Sequence, residues 1–345
     1  MSVPGASRRI VARAPVRLDF AGGWTDVPPY SREEGGVVVN AALALHATAE
    51  LVPRDAGPTL LVAEDLDAAL EVHGPADLAP GGGLELVKAA LRRFPPPWPA
   101  TLTTCSGAPP GSGLGSSGAM DVALVAALAA ARGEPLGPHA LAERGWRLET
   151  EDAGIAGGKQ DQWAAALGGI RRLVFRDPLV ETEVLPLDAE FAGVLARSTV
   201  LCYTGRSRLS GEAIARVVRG YERGDPVIRG AFHAMRDCAE AMAEALRAAD
   251  LGRVGSLLAA NWREQQRLDS GMRTDDMARL EAAAAAAGAL GGKAAGAGAG
   301  GSMFFLAPDE RSAARVAAAA RAAGSTILPV AWAGGGVQVA TDGGD

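Results

Sequence analysis

Glycine and serine crowd one stretch of this chain in a pattern that could hold a phosphate: Pro109 to Ala119 reads PPGSGLGSSGA. Glycines let backbone N–H groups approach a ligand. A helix starting near Ser116 would turn its unpaired N-terminal donors and partial positive charge toward an anion. The hydroxyls of Ser112, Ser116 and Ser117 could bond phosphate oxygens or a magnesium ion, which prefers oxygen ligands. A glycine-rich turn with a serine cap fits the loop alone as well as a phosphate cradle does. The phosphate loops with familiar signatures do not fit. Gly113, Gly115 and Gly118 match GxGxxG, but the next helix leads into GEPLGPH, without the second strand and acidic residue of a dinucleotide site. Ser116 stands where a P-loop needs lysine, and HRD and DFG are absent. A second candidate anion site is TGRSRLS at Thr204 to Ser210, where Arg206, Ser207 and Arg208 precede a helix expected to begin near Gly211. The histidines, His46, His73, His139 and His233, form no cluster.

These groups must be positioned by ordinary elements. In the first hundred residues, β-rich runs at Ile10 to Phe20, Val37 to Leu51, Thr59 to Ala63 and Ala100 to Thr104 alternate with turns, and Leu84 to Phe94 has helical spacing. Helices are expected from Ser116 through Ala131 and from Pro138 to Glu151, followed by a strand within Gly168 to Phe175. A second region opens with the apolar run Gly193 to Tyr203 and continues through helices between Ser210 and Ala287. It closes with strands at Ser302, Thr326 to Trp332 and Gly336 to Ala340. The order mixes strands and helices without regular βαβ alternation, which predicts α+β rather than a doubly wound sheet. The length of 345 residues suits two domains, placed at 1–195 and 196–345.

Composition narrows the partners. A formal net charge of -6 with 21% charged residues argues against nucleic acid or an anionic membrane. Neither a signal core nor an apolar run of spanning length occurs, so a cytoplasmic protein is expected. Cys105, Cys202 and Cys238 are scattered and read as apolar filler. The alanine runs at Ala282 to Ala287 and Ala317 to Ala320 read as helix.

Taken in order, three blocks resemble the GHMP kinase superfamily, the group of galactokinase, homoserine kinase, mevalonate kinase and phosphomevalonate kinase. They are RAPVRLDFAGGWTDVPPY at Arg13 to Tyr30, the phosphate loop PxxxGLGSSxA at Pro109 to Ala119, and GGKAAGAGAGGSMFFL at Gly291 to Leu306. FAGGWTDVPPY, GGKQDQWAAALGGI and LCYTGRSRLSGEAI look further like the branch of heptose 7-phosphate kinases and fucokinase-like enzymes. The resemblance implies a ribosomal protein S5 domain 2-like N-terminal domain, a ferredoxin-like C-terminal domain and ATP as phosphoryl donor.

Residue by residue, the resemblance makes Asp161 the general base. Arg17 then lies near the transferred phosphoryl, and Lys159, two positions before the base, is a candidate to neutralise its charge. ATP would lie along Pro110, Gly111, Ser112, Gly113, Leu114, Gly115, Ser116 and Ser117. Glu149, twelve residues before Asp161, would hold magnesium with Ser117. Asp26, Gly23, Trp24, Thr25 and Gly298 would meet the sugar, with Arg206, Ser207 and Arg208 on a remote phosphate of the substrate. The branch usually has a third glycine where Trp24 stands. The expected reaction is phosphorylation of the anomeric hydroxyl of D-glycero-D-manno-heptose 7-phosphate. Alternatives are L-fucose or galactose at C1, or a noncatalytic sensor on the same fold.

Overall fold

Strand β1 (Ile10–Ala21) buries Ile10, Ala12, Ala14, Val16, Leu18 and Phe20 on one face, as a period of two requires of a strand backed by a core. The opposite face carries Arg17 and Asp19, also buried, near the strand's C-terminal end. Two charged side chains are thus aimed away from the apolar layer, where other segments must satisfy them. The structure, a computed structural model, describes residues 8–205 and 211–342.

β1 pairs antiparallel with β2 (Gly36–Pro53), which is long enough to serve two further neighbours. Between them lies the short helix α1 (Tyr30–Glu33). β3 (Thr59–Ala63) and β4 (Ala68–Val72) form a hairpin at one edge, α2 (Glu85–Arg93) follows, and β5 (Ala100–Ser106) pairs with the second half of β2 and, in parallel, with β3. α3 (Ser116–Ala131), α4 (Pro138–Arg147) and α5 (Gln160–Leu167) come next. β6 (Ile170–Arg176) then pairs with the first half of β2 and carries β7 (Leu179–Val184). α3 is apolar around nearly its whole circumference and buried from Gly118 to Ala129, the pattern of a helix enclosed on all sides.

After α6 (Ala189–Ser198), β8 (Thr199–Tyr203) begins a second sheet. The apolar run Gly193 to Tyr203 is therefore half helix and half strand; Asp188 caps the helix by accepting from Phe191 N at 2.7 Å. Helices α7 (Gly211–Glu222), α8 (Pro226–Arg247), α9 (Leu251–Gln266) and α10 (Asp275–Ala286) lead to β9 (Gly291–Ala294) and β10 (Ser302–Leu306). α11 (Glu310–Ala322) and β11 (Thr326–Leu328) complete a four-stranded antiparallel sheet of order β11-β8-β10-β9.

The chain then returns to the first sheet. Ala44 N donates to Ala331 O at 2.8 Å, Ala333 N to Ala42 O at 2.9 Å, and β12 (Gln338–Thr341) pairs with β1. A division at residue 195 consequently cuts α6, and the last strand belongs with the first region. The mixed α+β architecture in two sheets is as expected from the sequence.

The two sheets share one core, in which Phe20 meets Phe304 edge-on with ring centroids 5.5 Å apart. Above that contact, Lys293 of β9 is fully buried and donates to Asp19 Oδ2 at 2.6 Å and to Asp19 O at 2.8 Å. Removing one partner of a buried ion pair strands the other charge in a dry interior. Lys293→Met is expected to destabilise the protein by about 3–5 kcal/mol, whereas the double change with Asp19→Leu should recover much of the loss. Denaturant unfolding of the three proteins measures both; a single variant as stable as the parent would contradict the pair's role.

Candidate active site

Gly115 caps the start of α3, and its φ of 76° lies in the left-handed region and turns the chain from the loop into the helix. The first-turn residues Ser116 and Ser117, with Gly111, Ser112, Gly113 and Gly115, line a cavity of about 510 Å³. The hydroxyls of Ser112 and Ser116 are buried without a partner, although buried polar atoms are ordinarily bonded. An anion's oxygens would satisfy them. The glycine loop after β9 leans on this cradle: Ser302 N donates to Ser112 O at 2.8 Å, and a Cβ on Gly296 would lie only 2.5 Å from Gly113 O.

Arg17 ties the cradle to α5. Its Nε donates to Asp161 Oδ1 at 2.8 Å, and its Nη1 donates to Gly113 O at 2.6 Å and Ala295 O at 2.8 Å. The Arg17 side chain is only 6% exposed, while that of Asp161 remains 28% exposed and lines the cavity, so this carboxylate can reach a ligand. Its Oδ2 lies 3.2 Å from where a Gly115 Cβ would stand, beside the start of α3.

On the other side of Asp161, Asp26 is buried and accepts from Gln160 N at 3.0 Å and from Gln160 Nε2 at 3.4 Å. Burial lifts its carboxyl to about 6; the Gln160 N–H opposes the lift, and the charges of Asp161 and Asp19 add to it. Gly23 and Trp24 line the same end of the cavity. Trp24 holds a φ of 82°, a conformation natural to glycine, and its ring packs into an apolar cluster with Tyr30, Ile214, Val217 and Phe232. That packing against α7 and α8 sustains the strained backbone.

Glu149 follows α4 in a π-helical turn, Leu148–Asp152. Its Oε1 accepts from Ser117 Oγ at 2.7 Å and its Oε2 from Gln162 Nε2 at 2.7 Å. Burial lifts this carboxyl to about 7, with the Asp161 charge adding to it and the two hydrogen bonds opposing. The described residues hold no cluster of three or more metal-ligating side chains. One or two carboxylates suffice for magnesium when phosphates supply further oxygens, and Glu149 with Ser117 offers that donor set at the cavity wall.

Several expected site residues lie elsewhere. The Lys159 amine pairs with Asp177 Oδ1 at 2.9 Å and sits 4.2 Å from the centre of the Trp146 ring, so it does not face the cavity as a phosphoryl-neutralising group would. Thr25 Oγ1 donates to Gly22 O at 2.6 Å and accepts from Val37 N at 3.0 Å, fastening the loop to β2 rather than meeting a ligand. Leu114 is in the core and gives its carbonyl to Arg17 N, while Pro110 O accepts from Tyr203. Gly298 packs on Met272, outside the cavity lining. Arg206, Ser207 and Arg208 lie outside the described residues. Residues that the sequence did not single out are Asp19, Lys293, Gln160 and Gln162. The two glutamines flanking Asp161, and the one charge in GGKAAGAGAGG, were the available signals.

A glycine-rich loop with two unpartnered serine hydroxyls, a carboxylate beside it and a second buried carboxylate in the same cavity suit a small-molecule kinase. The chain belongs to the GHMP kinase family, phosphotransferases that act on a hydroxyl: it matches the family models GHMP kinases N terminal domain over residues 84–169 and GHMP kinases C terminal over residues 242–326. It is 32% identical over 279 residues to a D-glycero-alpha-D-manno-heptose 7-phosphate kinase of Campylobacter jejuni, covering 79% of this chain and 82% of that protein. It is 28% identical to a bifunctional fucokinase/GDP-fucose pyrophosphorylase of Arabidopsis thaliana, over 76% of this chain and 26% of that longer protein. The crystal structure of a D-glycero-D-manno-heptose 1-phosphate kinase of Bacteroides thetaiotaomicron superposes with a TM-score of 0.79 at 26% identity, covering 96% of this chain and 98% of that one. Among the described residues no helix is long and apolar enough to cross a membrane.

A carboxyl whose pKa is raised in the folded protein favours folding while protonated. Glu149 therefore contributes stability below its ordinary value of 4.5 and loses it as pH rises to about 7. Glu149→Gln is expected to flatten the fall in melting temperature of the nucleotide-free protein across that window. Parallel melting-temperature profiles for parent and variant would contradict the assignment.

Proposed function

We propose that this chain transfers the γ-phosphoryl of ATP to the anomeric hydroxyl of D-glycero-D-manno-heptose 7-phosphate, giving the 1,7-bisphosphate. The observation that carries the reading is the Arg17 bridge, which fixes Asp161 against the phosphate cradle in a cavity whose other wall holds Asp26. The similarity to the Campylobacter heptose 7-phosphate kinase supports the choice of sugar.

In the proposed reaction the acceptor oxygen attacks the γ-phosphorus, the bond from that phosphorus to the bridging oxygen breaks, and ADP leaves. The hydroxyl proton passes to Asp161. Arg17 holds Asp161 and the Gly113 carbonyl in register, and its charge lies next to the phosphoryl in flight. Asp26, paired with Gln160, accepts from sugar hydroxyls. Carboxylates outnumber cations around this cavity: Asp19, Asp26, Glu149 and Asp161 line it, and among its described residues Arg17 is the one cation. Such a site would repel a bare polyphosphate. Glu149 and Ser117 are the residues that would hold magnesium, which neutralises the phosphates and orients them.

The sugar's remote phosphate is assigned to Arg206, Ser207 and Arg208. In the sequence they stand shortly before α7, whose Ile214 lines the cavity. The similarity to the Arabidopsis fucokinase favours a second reading, L-fucose phosphorylated at C1. Comparing the heptose with and without its 7-phosphate separates them: the proposal expects kcat/KM to fall by at least about tenfold when that phosphate is absent. Equal efficiency would remove the remote-phosphate role, and a preference for L-fucose would replace the substrate.

Asp161→Asn is expected to lower kcat by about 10²–10⁴ while leaving the ATP concentration for half-maximal rate nearly unchanged. Unchanged turnover in steady-state assays would overturn the assignment of the base.

A further inference from the structure

We propose that Gln162 is a positioning residue, whose carboxamide fixes the Glu149 carboxylate at the phosphate cradle and is itself fixed by Asp121. The inference rests on the reading of Glu149 as the carboxylate that holds the metal. Asp161 and Gln162 are successive residues of α5, so their side chains leave the helix about 100° apart. Asp161 meets the cavity, and Gln162 points beneath it into a fully buried position.

There the Gln162 Nε2 donates to Glu149 Oε2 at 2.7 Å and to Asp121 Oδ2 at 3.2 Å. A primary amide carries two N–H bonds on one nitrogen, so it can serve both carboxyls at once. The orientation in which Nε2 faces both carboxyls gives each of them an N–H, and the reverse orientation would give neither one. Asp121 stands four residues after Ser117 on α3 and hence on the same face of that helix, one turn deeper. Gln162 thus joins α3, α5 and the π turn that carries Glu149.

Packing locks the amide in place. A Cβ on Gly118 would lie 2.5 Å from Asp161 Cβ and 3.1 Å from Gln162 Cδ; one on Gly145 would lie 3.4 Å from both Gln162 Cγ and Asp121 Cβ. With Oε2 anchored by Gln162, the Glu149 carboxylate presents Oε1 to Ser117 at the cavity wall. Partners behind a metal ligand set its orientation, and their loss typically costs about 10- to 100-fold in metal affinity. Neither Gln162 nor Asp121 lines the cavity, which separates this role from direct contact with substrate.

The test replaces the amide by a chain of similar length without N–H, Gln162→Met. Magnesium is titrated against the protein with ADP, and the nucleotide-dependent shift in melting temperature is followed without turnover; the magnesium dependence of the rate is measured alongside. The expected result is a rise of about tenfold in the magnesium needed for half the thermal shift and half the rate, with kcat at saturating magnesium reduced much less. Asp121→Leu should move the magnesium dependence the same way, and Asp121→Asn, which retains an acceptor for the amide, much less. Should the Met variant fail to fold, Gln162→Asn withdraws the amide by one methylene and gives the same readout. Glu149→Gln distinguishes the two levels of the claim. If it leaves magnesium dependence unaltered, the metal reading fails and takes the positioning role with it. If it raises the requirement while Gln162→Met and Gln162→Asn keep the parent's magnesium dependence, even with lowered melting temperatures, Gln162 is structural and the positioning role alone is overturned.

Discussion

A buried guanidinium has to be met by acceptors, and in this protein the acceptors of Arg17 come from three distant segments. Gly113 of the glycine-rich loop, Asp161 of α5 and Ala295 beyond β9 all receive its N–H groups. The Arg17 backbone N–H donates to Leu114 O at 2.8 Å, adding a main-chain bond to the same loop. Leaving such a cation unpaired in the interior would cost several kcal/mol, so assembling these segments and satisfying Arg17 are one event. Its planar fork suits this task better than an ammonium would, because the donors diverge at fixed angles toward separate partners.

The rest of the site follows from what that assembly brings together. Backbone approaches backbone where Gly296 meets Gly113, and helix approaches helix where Gly118 meets Asp161, leaving no room for a side chain at either glycine. The Lys293 to Asp19 pair repeats the logic one layer deeper, joining β9 to β1 as Arg17 joins the loops. Burial pushes the Lys293 amine below its ordinary range, and Asp19 opposes that loss of charge through both its field and its hydrogen bond. Asp26, Glu149 and Asp121 are all raised chiefly by desolvation, Asp121 well above the usual carboxylate range. Of these, Asp26 and Glu149 line the cavity, where burial of this kind is how acid and base groups are tuned.

What the sequence revealed depended on whether the signal was local. The helix expected from Ser116 through Ala131 is found with those bounds, since alanine-rich composition and a glycine turn before it are local facts. The strand at Thr59 to Ala63 is likewise found as read. The cradle residues Gly111 to Ser117 line the cavity, apart from Leu114, whose side chain the core claims. For Lys159, closeness in sequence to Asp161 says nothing about direction: at the edge of α5 its amine lies over the Trp146 ring and pairs with Asp177. Thr25 sits between two cavity residues, yet its hydroxyl serves the backbone. The return of the chain's end to β1, the Lys293 to Asp19 pair and the amide linking Glu149 to Asp121 all join residues more than ten positions apart, most of them more than a hundred, and no periodicity encodes them.

The proposed function requires ATP phosphates and the acceptor hydroxyl to meet between the glycine-rich loop and Asp161. A crystal structure with a non-hydrolysable ATP analogue and heptose 7-phosphate tests it most directly. The analogue's phosphates are expected on the backbone N–H groups of Gly111 to Ser117 and the anomeric hydroxyl within hydrogen-bonding distance of the Asp161 carboxylate, with Asp26 on other sugar hydroxyls. Phosphates bound away from that loop, or an acceptor hydroxyl out of reach of Asp161, would contradict it.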